Sequence, residues 1–245
     1  MAEISIDNIT VLCSKSEGRD KLARFFQYGA RALVGFANLA GIKQGTMLSR
    51  WEGHCRTAMT NLAGARRTHR WCKELPVILS IPQSLSIGDP FDCFLDVFTK
   101  VTLSTFFIID HIGHLKQWKI LPGGKRNGAG TVQLGLKFFC LSNIAGAICQ
   151  TKKYLKLSSS SEDKSKDKSA CFQVWLKHVL LIVQTAHLSL LYTTHDSLVG
   201  ILGMITSAMD VKGQWPPAKP AAPKALLASG SAPAENGKDK AAKAA

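Results

Sequence analysis

The chain has 245 residues, and its 31 Lys/Arg against 17 Asp/Glu set a pI near 9.6, on a length that allows one or two domains with a core of their own. That basic excess favours a polyanionic partner, but 46% hydrophobic residues and a mean hydropathy of +0.05 are high for a nucleic-acid binder of this charge and lean toward a membrane. Seven scattered cysteines with no C-x-x-C argue against a disulfide framework and for reduced thiols in a reducing compartment, and the opening MAEISIDNIT has neither the positive leader nor the apolar run of a secretory signal.

Residues 1–18 read as a short, weakly patterned leader, with Ser16 or Gly18 as the cap of the next helix. Arg19–Ala40 is predicted as an amphipathic helix. At 100° per residue Leu22, Phe25, Phe26, Gly29, Leu33, Phe36 and Ala40 share one face, and Asp20, Arg24, Gln27, Arg31 and Asn38 share the opposite one. Arg19 and Lys21 sit at the edges, where long cations lay their stems along apolar surface. Gly41 and Gly45 supply a stop and a turn.

Met47–Leu75 is predicted as a second helix, with Leu48, Trp51, Cys55, Ala58, Met59, Leu62 and Ala65 in one stripe and Arg56, Arg66, Arg67 and Arg70 beside it. Past Ala65 the stripe thins, and Arg66 and Lys73 rotate into it. Between Arg19 and Lys73 eleven Lys/Arg stand against Asp20 and Glu52, a local excess of nine. Residues 19–75 therefore form a basic amphipathic region, separate from the apolar runs behind it.

Residues 76–131 hold helices and loops: Pro76 and Pro82 bracket VILSI, Gly88-Asp89-Pro90 marks a break, and Phe91–Trp118 is a further helical run. Within 132–157, Val132–Gln150 has about the length needed to cross a bilayer, roughly 20 apolar residues, and Lys152, Lys153 and Lys156 form a basic collar behind it. Residues 158–170 are a polar linker. Residues 171–211 form a C-terminal membrane region whose one formal charge between Val179 and Met209 is Asp196. Residues 212–245 read as a disordered basic tail. The fold class expected is all-α: amphipathic helices, then membrane-embedded helices, then a disordered C-terminal tail. Two spans are expected, Val132–Gln150 and one within Val179–Val211, with both termini cytosolic.

Catalytic chemistry finds little support. His111-Ile112-Gly113-His114 spells a synthetase-like signature but lies in an aromatic helical run with no strand–turn–helix alternation around it. His54, Cys55, His69 and Cys72 are in the wrong order for a zinc finger. Gly123-Gly124-Lys125 lacks the frame of a phosphate loop. No enzyme, cofactor or metal is expected. Asp110 and Asp196 each mark a membrane edge or helix end, or face a polar path.

GRDKLARFFQYGARAL (Gly18–Leu33) resembles the opening helix of the peroxisomal biogenesis factor 11 family, and AGARRTHRW (Ala63–Trp71) its second basic helix. His69-Arg70-Trp71-Cys72-Lys73 departs from the Phe-Arg-Leu-Gly-Lys-like phrase usual there. FIIDHIGHLKQWKIL (Phe107–Leu121) is similar to the family's Asp-His segment, and LVGILGMITSAMDVKGQW (Leu198–Trp215) to its closing Gly-rich helix and trailing Trp. The resemblance implies a protein of the peroxisomal membrane that elongates it before fission, self-associates, and works alongside a dynamin-like fission GTPase. The divergent motifs would suit the glycosomal branch of that family.

The expected membrane-inserting residues are Leu22, Phe25, Phe26, Leu33, Phe36, Trp51, Met59 and Leu62. Those expected to bind anionic headgroups are Arg19, Lys21, Arg56, Arg66, Arg67, Arg70 and Lys73, with Arg66–Lys73 as an electrostatic clamp and docking patch for an import receptor. Gly200, Gly203 and Ser207 are expected to let helices approach closely. The expected partners are an anionic phospholipid membrane and further copies of the chain. The alternatives are a pore or carrier for small metabolites, suggested by Lys137, Asn143, Gln184, His187 and Asp196, and a soluble basic helical protein that binds nucleic acid.

Overall fold

A computed structural model describes residues 5–42, 45–159 and 164–217. Among them are nine helices and no strand: α1 (Ile6–Ser14), α2 (Ser16–Leu39), α3 (Met47–Thr68), α4 (Glu74–Leu79), α5 (Ile81–Leu85), α6 (Pro90–Gln117), α7 (Gly128–Ser158), α8 (Ser165–Leu188) and α9 (Asp196–Gln214). The described residues from Ser5 to Pro216 belong to one packed unit.

Local chemistry sets most boundaries. The leader is itself a helix, because Ser5 accepts the Asn8 N–H at 3.2 Å and Leu12, 1% exposed, seals α1 against α2. Neither Ser16 nor Gly18 caps α2: Lys15 is the extended residue before it, and Gly18 lies inside the helix, where a Cβ would strike the Leu12 carbonyl. Gly41, at φ 59°, takes the left-handed conformation that ends α2. Asp89 accepts the Phe91 and Asp92 N–H groups at the start of α6, with Pro90 in its first turn, and Asn127 accepts the Gly130 N–H at 2.7 Å before α7.

Two expected continuities are broken. The helix expected over Met47–Leu75 stops at Thr68; left-handed Cys72 (φ 63°) turns the chain into α4 and lets Arg70 face the interior. The C-terminal span expected within Val179–Val211 is two helices. Left-handed Leu190 (φ 58°) lies between them, and His195 Nδ1 caps α9 by accepting the Ser197 N–H at 3.3 Å. Helix α8 begins at Ser165, inside the expected linker, and α9 runs to Gln214, past the expected start of the tail. Residues 160–163 and 218–245 lie outside the described residues.

Neighbouring long helices run antiparallel. Asn38 meets Arg56 and Ser16 meets His69 along α2–α3, and Thr99 meets Ser142 between α6 and α7. Asn143 meets His178 between α7 and α8, Gln184 meets Thr206 between α8 and α9, and Arg24 meets Asp210 between α2 and α9. Contacts of Arg67 with Asp110 and Gln117 join α3 to α6 and close the circuit α3–α2–α9–α8–α7–α6.

That circuit is polar inside. Among the described residues, twelve hydrophobic ones are buried beside twenty polar or charged ones, which include Asp20, Arg24, Arg66, Asp110, Asn143, Gln184 and Asp210. Meanwhile Phe94, Val101 and Ile108 of α6, Leu141, Ile144 and Ile148 of α7, and Leu198, Ile201 and Ile205 of α9 point outward. A helix bundle in water buries the opposite faces. Among the described residues α7 alone is long and apolar enough to cross a membrane, with 44% of its apolar window buried inside the fold. At 1.5 Å per residue its 31 residues reach about 46 Å, beyond a hydrocarbon layer of roughly 30 Å.

Candidate functional site

Helix α2 turns its predicted polar face inward and its apolar face out. Asp20, Arg24 and Gln27 are 2%, 7% and 8% exposed, whereas Phe26, Leu33, Phe36 and Leu39 are 58%, 60%, 49% and 62% exposed. Phe25, half-buried, meets Phe26 edge-on, and Leu22 is also half-buried. On α3, Leu48 and Trp51 are exposed, while Met59 and Leu62 are half-buried. Of the residues singled out for insertion, Phe26, Leu33 and Phe36 form an outward stripe on α2 and Trp51 is exposed near the start of α3, whereas Leu22, Phe25, Met59 and Leu62 are half-buried.

The α2–α9 contact makes this orientation possible. A Cβ at Gly200 would run into the Ala32 backbone, one at Gly203 into the Tyr28 ring, and one at Gly35 into the Ser197 backbone. Ser207, 0% exposed, donates to the Gly203 carbonyl at 2.6 Å. With no side chain at these glycines, the two helices approach closely enough for Arg24 to reach Asp210 at 3.2 Å and Thr206 at 3.0 Å.

The basic residues divide into two sets. Arg19 stays outside and donates to the Cys13 carbonyl at 2.8 Å, and exposed Arg56 pairs with Glu52 and donates to Asn38 at 3.2 Å. Lys73 pairs with Glu17 at 3.5 Å. Arg66, 7% exposed, bonds Asp20 at 3.1 Å and also Gln27; Arg70 bonds Asp20 at 3.3 Å and lies 3.7 Å from Asp110; Arg67 reaches Asp110 at 3.4 Å. Lys21 lies 3.1 Å from Asp210. Burial pushes the Lys21 ammonium below its ordinary pKa, with Asp210 opposing the shift. Burial also works against the Arg70 charge, but Asp20 and Asp110 outweigh it and hold the guanidinium above its ordinary value.

These side chains line a chamber of about 230 Å³ between α2, α3, α6, α7 and α8. Lys21, Arg66, Arg67, Arg70 and Lys73, expected on the outer surface, meet Arg24 and Arg31 there. The carboxylates that neutralise them, Asp20, Asp110 and Asp210, are not legible as a set in the sequence. Their one sequence signal is a polar group recurring inside apolar runs, together with Gln27 and Gln184. Asp110 lies in the middle of α6 and marks no helix end, whereas Asp196 opens α9 and pairs with Arg31 and His187. His111 stacks on Trp71 at 5.1 Å with Nε2 3.2 Å from the Arg70 carbonyl oxygen, and His114, 3% exposed, lies against Trp118. His111 thus braces the turn after α3, and His114 packs at the end of α6. Among the described residues no group of three metal-ligating side chains is present.

Comparison with known proteins gives one match. No curated protein and no solved structure matches the chain. The family model described as Peroxisomal biogenesis factor 11 (PEX11) matches residues 6–215. That span contains all nine helices, the outward apolar stripe and the cationic chamber, and the chain belongs to the peroxisomal biogenesis factor 11 family.

Proposed function

We propose that this chain, a peroxisomal membrane proliferation factor by its family, elongates the organelle membrane before fission by sinking the outer faces of α2 and α3 into the cytosolic leaflet. The observation that carries the reading is the reversed burial of α2, with Asp20, Arg24 and Gln27 inside and Phe26, Leu33 and Phe36 outside. An apolar helix face lowered about 5–10 Å into one leaflet expands that leaflet and favours curvature. Arg19 and Arg56 at the exposed edge meet anionic headgroups, at roughly 1 kcal/mol for each cation near such a surface. Arg66, Arg67 and Arg70 act from within, holding α3 against α2 and α6 so that the wedge is a rigid pair.

Helix α7 spans the bilayer in this reading, with the outward apolar residues of α6, α7 and α9 against lipid. Copies associate laterally within the curved membrane. A dynamin-like GTPase that severs the tubule and an import receptor that delivers the chain are the further partners proposed.

The test uses the full chain reconstituted into liposomes containing anionic lipid. Tubules are expected by electron microscopy with the wild type and not with Phe26→Glu/Leu33→Glu. Tubulation unchanged in that variant would sink the wedge. Retention in the membrane pellet after alkaline carbonate extraction is expected of the integral arrangement, and release into the supernatant counts against it.

A further inference from the structure

The chamber holds more positive charge than its own carboxylates neutralise. Arg66, Arg67 and Arg70 share two of them, Asp20 and Asp110. Lys21, Arg24 and Lys177 share a third, Asp210. Two of these guanidinium groups turn their remaining arms to neutral acceptors, Arg66 to Gln27 and Arg24 to Gln184 and Thr206. Arg31 also lines the space; Asp196 neutralises it through Nη1, and its buried Nε has no hydrogen-bond partner. Lys177 is one-third exposed and partly solvated, so about two positive charges remain to be met inside. Uncompensated charge of this kind is costly away from water, and a chamber that retains it is built for an anion. Fixed arginine forks match the oxygens of a phosphate.

The opposite wall is different in kind. Phe106, Leu136 and Leu181 present hydrocarbon to the same space. At roughly 30 Å³ per water in the liquid, 230 Å³ is the room of several waters. That suits a phosphate head and the few heavy atoms next to it, and the chain of a lipid phosphate would leave through the chamber's open side.

We propose that the chamber binds one phosphate monoester, its dianionic head against Arg24, Arg31 and Arg66 and the rest of the molecule along Phe106, Leu136 and Leu181. The monoester is preferred to a diester because its second negative charge matches the excess. Two sources share this chemistry, a single-chain lipid phosphate from the membrane and a small soluble phosphate. The site is separate from the wedge, since the outward residues of α2 take no part in it.

Thermal unfolding of the full chain in neutral detergent tests this, with lysophosphatidic acid, glycerol 3-phosphate, inorganic phosphate and zwitterionic lysophosphatidylcholine as probes. At a hundred times its Kd, lysophosphatidic acid is expected to raise Tm by roughly 5–10 °C, and lysophosphatidylcholine to leave it unchanged. An equal rise with glycerol 3-phosphate or inorganic phosphate upholds the site and assigns it to a soluble anion. Ala63→Trp, which fills the chamber without removing a charge, is expected to abolish the rise, as is Leu181→Trp. Phe26→Glu/Leu33→Glu is expected to keep it, so loss of tubulation and loss of binding are read separately. The proposal is overturned by no rise with any phosphate, by equal rises with lysophosphatidic acid and lysophosphatidylcholine, or by a rise that persists in a folded chamber-filling variant. The wild-type comparison decides even if both of those variants fail to fold.

Discussion

Arg66 of α3 reaches Asp20 of α2 with an Nε to Oδ1 distance of 3.1 Å, and the two residues are only 7% and 2% exposed. They stand 46 positions apart, and their meeting fixes which faces of two amphipathic helices point inward. Asp20 also accepts from Arg70 at 3.3 Å, so a single carboxylate serves two cations.

Removal of that carboxylate is expected to be severe. Asp20→Asn leaves two buried guanidinium groups short of a counter-charge, and breaking a buried pair in this way costs about 3–5 kcal/mol. The double variant Asp20→Asn/Arg66→Gln is expected to lose less than the sum of the two single changes. Chemical unfolding of the four proteins measures the coupling, and strict additivity would contradict a direct pair.

The space around two helical glycines predicts opposite effects. Gly203→Val drives side-chain atoms into the Tyr28 ring, and overpacking of this kind is expected to cost about 1–3 kcal/mol. Gly53→Ala on α3 meets nothing within 4 Å and is expected to stabilise by about 0.5–1 kcal/mol through helix propensity. Thermal unfolding of both variants in one detergent checks the pair.

Stability and remodelling are expected to separate on the outer face of α2. Phe26 and Leu33 are 58% and 60% exposed, so Phe26→Glu and Leu33→Glu should each move detergent-phase stability by no more than about 0.5 kcal/mol. The same changes place a carboxylate where the leaflet would be, and the loss is expected in vesicle binding. A co-sedimentation assay beside a melting curve distinguishes this from simple unfolding.

Acid should act at the start of α6. The Lys152 ammonium, together with the Asp92 and Phe91 N–H groups, holds the Asp89 carboxyl down to about 2 from an ordinary 3.8. A depressed folded-state pKa means that the stabilisation is fully present above about pH 4 and is lost as pH falls toward 2. Wild type is therefore expected to be more stable than Asp89→Ala at pH 7, with the gap narrowing below pH 4. Unfolding midpoints followed from pH 7 to pH 2 provide the check, and a constant gap would contradict the cap.

The sequence by itself determined the helical class, the two faces of α2 and the position of the long apolar helix. It also placed the Asp89-Pro90 start of α6 and the stop at Gly41. Each of these depends on residues within a turn or two of one another, where periodicity and capping act directly. Only the tertiary structure decided which face of α2 is the inside. Periodicity divides Asp20, Arg24 and Gln27 from Phe26, Leu33 and Phe36, but it is silent on which set will find partners. The partners lie far along the chain, on Arg66, Gln184, Thr206 and Asp210. The same distance effect moved Arg66, Arg67 and Arg70 from an expected surface clamp to an internal network. Once Asp20 and Asp110 come within 3.1–3.7 Å of them, pairing offsets burial, and the polar stripe becomes the core.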